Sequence, residues 1–143
     1  MPMSQLVKDI TEITRCGAQY RTEQLAPMGL KGCHASYLEV ICAEPGISQD
    51  QLARRICINK SNVARQIAVL EEDGFVLRQS SPSDKRIMEL YPTERTLQLL
   101  PRIKSILTNW EEWLTQDLTE AEVAMVAQAL VKMKSRATAC MEE

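Results

Sequence analysis

The stretch ISQDQLARRICINKSNVARQIAVLEEDGFVLRQSSPSDKRIMELY, residues 47–91, decides how the chain is read. Its first six residues open a helix. Ser48 can accept a hydrogen bond from the Gln51 amide while Gln51 reaches back to Ser48, and Ile47 can pack on Leu52, giving a capping box with a hydrophobic staple. The helix is short, burying Leu52 and Ile56, and the chain turns around Cys57-Ile58-Asn59. A second helix is expected over residues 60–73, with Val63, Ile67 and Leu70 as its buried stripe at i, i+4 and i+7. Ser61, Asn62, Arg65 and Gln66 share a polar face pointing roughly the other way. Gly74 supplies a left-handed stop. Residues 75–79 and 87–91 are β-compatible, and the turn formers between them place Lys85 and Arg86 at the tip of a hairpin.

Helix, turn, helix and charged hairpin is the layout of a winged helix-turn-helix. The chemistry of its polar face fits base edges: arginine suits guanine or phosphate, asparagine and glutamine suit adenine, and serine takes either role. The face carries no carboxylate until Glu71, whereas an ordinary solvated face mixes both signs. An arginine on a loop suits a narrow minor groove, where the negative potential is enhanced. Each feature alone also reads as solvated charge, so the weight lies in their combination.

The flanks are helical. Leu6, Ile10, Ile13, Gly17 and Tyr20 recur at spacings of three and four, predicting a helix that Ala26-Pro27-Met28-Gly29 ends. A second helix is expected over residues 33–43, with Tyr37, Leu38, Ile41 and Cys42 on one face, closed by Glu44-Pro45-Gly46. After the hairpin, Leu100, Ile103, Leu107, Trp110 and Leu114 form an a/d-type seam, with Pro101 marking a kink or a start. Leu118-Thr119-Glu120-Ala121-Glu122-Val123 repeats the box and staple, and Val123, Val126, Leu130, Met133 and Ala137 form a second seam. These helices carry more apolar surface than a small winged core covers, and the simplest outlet is a second copy of the chain.

Length and composition bound the rest. At 143 residues the chain fits one domain, large enough to bury roughly 68–70% of its unfolded surface. Net charge is −2, but residues 48–104 hold ten Lys/Arg against seven Asp/Glu, and residues 105–143 hold three against seven. The middle is therefore the basic part. No apolar run of 18 residues occurs and the N-terminus does not read as a signal peptide, so a cytoplasmic protein without a membrane partner is expected. Five cysteines without a CxxC pair, and a single histidine, argue against a disulfide framework, a metal site or another cofactor. Cys33, Cys42 and Cys57 read as small buried hydrophobes. No nucleophile constellation or phosphate-binding glycine loop points to an enzyme.

Taken together these residues resemble the MarR family of bacterial transcription regulators. The resemblance rests on Lys60-Ser61-Asn62-Val63-Ala64-Arg65, on the run from Leu70 to Arg78, and on Pro82-Ser83-Asp84-Lys85-Arg86, which reproduces the family's Asp-x-Arg wing. It implies a mainly α fold with a small β-hairpin wing, and one domain over residues 1–143. Residues 30–96 would form the DNA-binding lobe, and residues 1–25 and 97–143 the helical dimerisation region. It further implies a homodimer on a palindromic double-stranded operator, with Ser61, Asn62, Arg65 and Gln66 facing the major groove and Arg86 the minor groove. Asp84 would orient the wing by pairing with a nearby arginine, and Ser48, Lys60 and Lys85 would contact phosphates. Thr96 departs from the family's usual glycine after the wing and leaves the start of the next helix open. The resemblance also implies a repressor released by a small-molecule effector, in a pocket that could include Tyr20, Tyr37 or Trp110, although core packing explains each equally well. Two alternatives stand beside it: a thiol-based redox regulator using Cys16, and a winged-helix protein-interaction module that does not touch DNA.

Overall fold

The computed structural model describes residues 3–142. Helix α1 spans Met3–Leu25, followed by a 3-10 turn at Ala26–Met28, α2 (His34–Ala43), β1 (Ile47–Ser48), α3 (Gln49–Ile56), α4 (Lys60–Glu72), β2 (Val76–Ser80), β3 (Met88–Pro92), α5 (Glu94–Leu114) and α6 (Glu120–Glu142). The chain divides into two compact units, Met1–Thr108 and Asn109–Glu143. The first unit takes in α1 and the part of α5 up to Thr108 together with the winged lobe.

In the first unit the expected local signals operate. Ser48 Oγ accepts from Gln51 N–H at 3.1 Å and Gln51 Oε1 accepts from Ser48 N–H at 3.1 Å, closing the capping box of α3. Inside that helix Leu52 and Ala53 are buried while Ile56 is half-buried, because α3 ends there with Cys57 in the left-handed region at φ 58°. Asn59, which the sequence reading left in the turn, caps α4 through its side-chain oxygen on Asn62 N–H at 2.8 Å. Val63, Ile67 and Leu70 are each 0% exposed and meet Tyr37, Leu38, Phe75 and Leu90 in one core.

The sheet has three strands in the order β1-β3-β2, all antiparallel. The hairpin was expected; the two-residue β1 was not. Gly46, at φ 93°, donates its N–H to Leu90 C=O at 2.8 Å, and Ile47 then pairs with Leu90. This sews the start of α3 onto the inner strand of the wing.

The junction between wing and α5 resolves the question raised by Thr96. Helix α5 starts at Glu94 and runs through Pro101, which removes one rung of the ladder without ending the helix. Thr93 caps it by accepting from Thr96 N–H at 3.3 Å. Thr96 itself is 0% exposed and donates its hydroxyl to Phe75 C=O at 2.6 Å. Arg95 lies 4.2 Å from the Phe75 ring centroid and donates to Asp73 C=O at 2.8 Å, covering the C-terminal end of α4. Replacing Thr96 with valine keeps the volume and removes this hydroxyl. Because Phe75 C=O also accepts from Thr93 N–H, the expected loss is about 0.5–1.5 kcal/mol, measurable by urea denaturation.

Helix α5 also has an inward stripe beside the expected seam, sharing Ile103 with it. Thr96, Ile103 and Ile106 are buried and Leu99 packs against the core, so the lobe-facing side is rotated from the Leu100–Leu114 register. Leu107 is half-buried and Leu114 remains 43% exposed. The apolar periodicity of α5 is broad enough to contain both stripes, one on the lobe and one, through Leu114, open in the single chain. In the second unit α6 is capped as expected, Thr119 Oγ1 accepting from Glu122 N–H and Glu122 Oε1 from Thr119 N–H. Its seam stands open in the single chain, with Val126 at 48% and Leu130 at 47% exposure.

Candidate nucleic-acid interface

Burial of Val63, Ile67 and Leu70 fixes which side of α4 remains outside. Ser61 and Arg65 are exposed, while Asn62 and Gln66 are half-buried. Arg65 Nη2 donates to Asn62 Oδ1 at 3.3 Å, one turn back along the helix. Gln66 turns toward the lobe instead: its Oε1 lies 2.8 Å from Nε2 of His34 on α2. The four polar residues therefore do not form one uniform face. Ser61, Asn62 and Arg65 make the outer surface, and Gln66 sits at its edge with half of its amide engaged. Spacing places residues on a face to within tens of degrees; a partner such as His34, 32 positions earlier, lies beyond its reach.

Wing geometry is equally specific. Asp84 holds Arg86 through three contacts: backbone N–H to Oδ1 at 3.0 Å, Nε to Oδ1 at 3.1 Å, and Nη2 to Oδ2 at 3.1 Å. These hydrogen bonds from Arg86 hold the Asp84 carboxyl below the usual carboxylate range. The arginine that Asp84 pairs with is thus the wing arginine itself, whose side chain is still 90% exposed. Lys85 is exposed beside it. A cleft of about 330 Å³ separates the wing base from α3, lined by Ser48, Asp50, Arg54 and Arg86 among others. Arg54 is not among the expected contacts, although its place one turn after Asp50, in the basic last turn of α3, is a signal the sequence carries. Ser48 spends its hydroxyl on the cap, and Lys60 Nζ lies 3.4 Å from Asp50 at a largely exposed pair of little energetic weight.

The family description for MarR matches residues 34–88, which contain the helix pair and the wing up to the start of β3. A Thauera aromatica protein, provisionally designated a transcriptional regulatory protein for the hcr operon, is 34% identical over 101 residues. That match takes in 71% of this chain and 58% of the relative's length. Among solved structures, the transcriptional regulator SlyA superimposes with a TM-score of 0.93 at 29% identity, covering 96% of both chains. A Listeria monocytogenes chain, provisionally designated a MarR family regulator and complexed with 26mer DNA, is 28% identical with a TM-score of 0.88. That superposition covers 92% of this chain and 88% of the other. The chain belongs to the MarR family. Its relatives are described as transcriptional regulators.

Within this MarR-family chain the three aromatic candidates for an effector pocket have different settings. Tyr37 is 0% exposed in the core, its hydroxyl without a hydrogen-bond partner, and it meets the His34 ring edge-on at 6.3 Å. Tyr20 is half-buried against that core, and Trp110 is half-buried in the second unit. A cavity of about 520 Å³ beside the end of α1 is lined by Ala18, Arg21, Thr22, Leu30, Lys31 and Cys33 among others, and by none of the three aromatics. Cys16, Cys33, Cys57 and Cys140 are exposed and Cys42 is half-buried. The expectation that Cys33 and Cys57 are buried is therefore corrected: they cap the ends of α2 and α3, where the backbone turns outward. Among the described residues no cluster of metal-binding side chains occurs, and no helix is long and apolar enough to cross a membrane.

His34 is 1% exposed, and burial pushes its pKa below the ordinary 6.5, with the Gln66 hydrogen bond opposing that shift. In the unfolded chain the ring takes up a proton near pH 6.5, before the folded protein does. The unfolded state then binds more protons, so this contribution to stability is intact above pH 6.5 and falls as pH drops toward the lowered folded value. Thermal melts of wild type and His34→Gln between pH 5 and 8 should show an acid-side loss in wild type that the variant reduces.

Proposed function

We propose that this chain is a DNA-binding transcriptional repressor acting in the cytoplasm as a homodimer on an imperfectly palindromic operator. The observation that carries the proposal is the pairing of an outer surface on α4, Ser61, Asn62 and Arg65 with no carboxylate before Glu71, with a hairpin that holds Arg86 at its tip. On this reading α4 enters the major groove with Ser61, Asn62 and Arg65 against base edges, and Arg86 enters the minor groove. Lys60, Lys85 and the amino end of α3 at Ser48 engage phosphates.

A two-fold dimer supplies the second reading helix, and successive major grooves on one DNA face lie roughly 34–36 Å apart. The open apolar seam of α6, with Val126, Leu130 and Met133 exposed in the single chain, supports that pairing. A small-molecule effector would act by changing the spacing of the two reading helices. The cavity of about 520 Å³ beside α1 supports the presence of such a site.

Titrating the protein onto operator-containing duplex at two salt concentrations tests the reading. Affinity should fall steeply with salt, and Arg86→Ala should weaken binding and flatten the salt slope by about one unit while leaving base preference in the major groove largely intact. Absence of binding to any duplex at low salt would favour the protein-interaction module. Exposure of Cys16 keeps the thiol-based reading as the second one. Peroxide treatment that leaves every thiol reduced and operator affinity unchanged removes it.

A further inference from the structure

Resting on the DNA-reading proposal, we infer that His34 is a positioning residue that fixes which hydrogen-bonding groups Gln66 offers to a base. At this point of α4 the protein then reads an acceptor edge, such as N7 and O6 of guanine, rather than the donor–acceptor pair of adenine. Lys31 N–H lies 3.1 Å from His34 Nδ1, and an amide N–H can only donate. Nδ1 therefore carries a lone pair. In a neutral imidazole the proton must then sit on Nε2, and the buried setting favours the neutral ring.

Nε2–H faces Gln66 at 2.8 Å, so the amide must present its oxygen there. The backbone of the loop before α2 thereby determines the flip of a side chain on α4. What Gln66 turns away from His34 is its NH2 group, which only donates. A glutamine reads adenine by using oxygen and nitrogen together, on N6 and N7. With the oxygen bonded to His34 on the lobe side, one of its two lone pairs is used and the NH2 group is the free end, which favours the two acceptors of guanine, or singly O4 of thymine, over the paired oxygen and nitrogen that adenine requires. Gln66 follows Arg65 directly and stands one turn after Asn62, at the edge of the outer surface of α4.

The test uses the full-length protein and selection from randomised duplexes around the operator, with melts to verify folding. Wild type should select guanine or thymine at one position per half-site. Gln66→Glu still accepts the His34 proton but brings no N–H, and should lose that preference by about tenfold. His34→Phe frees the Gln66 oxygen and should admit adenine at the same position, cutting guanine-over-adenine discrimination by about tenfold with other positions unchanged. If His34→Phe fails to fold, Gln66→Glu alone decides, since it leaves the buried ring in place. A folded Gln66→Glu with wild-type preference at every position overturns the inference, as does selection of adenine by wild type at the position that Gln66→Glu alters. Those outcomes leave the regulator reading standing; a folded wild type that binds no duplex at low salt overturns both.

Discussion

Arg65→Ala is expected to lose about 1–3 kcal/mol of operator affinity and to relax base preference at the position this side chain reads. The residue is exposed on α4, and among the described residues its guanidinium is held by Asn62 Oδ1 at 3.3 Å, a long contact that costs little to exchange for a guanine edge. Little folding stability should be lost with it. The informative comparison is with Arg86→Ala, whose effect should be spread evenly across sequences. Competition binding against operators substituted one base pair at a time separates the two. Affinities of both variants equal to wild type would refute the groove assignments.

Ile67→Ala should act through the fold instead. Ile67 is 0% exposed at the centre of the buried stripe of α4, and trimming it leaves a cavity among packed side chains. A loss of about 2–5 kcal/mol in unfolding free energy is expected, large against a total of about 5–15 kcal/mol for a domain. Chemical denaturation measures this directly. At temperatures where the variant remains folded, its salt slope on DNA should equal that of wild type, because no phosphate contact is removed. A change in slope at full folding would mean that α4 had moved on the lobe.

The contrast between these two residues shows what was legible in the sequence. Inward positions of α4 were set by spacing, and Val63, Ile67 and Leu70 lie where i, i+4, i+7 puts them. The capping boxes at Ser48 and Thr119 were also legible, since each closes within four residues. Features that depend on distant partners were not. Gln66 reads as an outward amide until His34 is seen beside it, and Thr96 reads as an anomaly until its hydroxyl meets Phe75 C=O. Helix α5 shows a different limit: its apolar residues cover so much of its circumference that spacing does not say which of them meet the core, and packing alone identifies Thr96, Leu99, Ile103 and Ile106. The two-residue β1 has no period to detect and exists because Gly46 turns its N–H onto β3.

That small strand has a mechanical consequence for the hairpin. By joining the start of α3 to β3, it makes the base of the wing and the helix pair one unit of local unfolding, since neither opens without breaking Gly46 N–H to Leu90 C=O and the Ile47–Leu90 pairing. Residues 81–86 lie beyond it, held by Ser81 N–H on Ile87 C=O and by the Asp84–Arg86 contacts. Conformational freedom in the wing is thus confined to its last few residues. Any rearrangement of Arg86 toward a groove involves breaking its Asp84 contacts while the strands beneath stay registered to α3, so the entropy lost on docking the arginine is that of a short tip rather than of a whole hairpin.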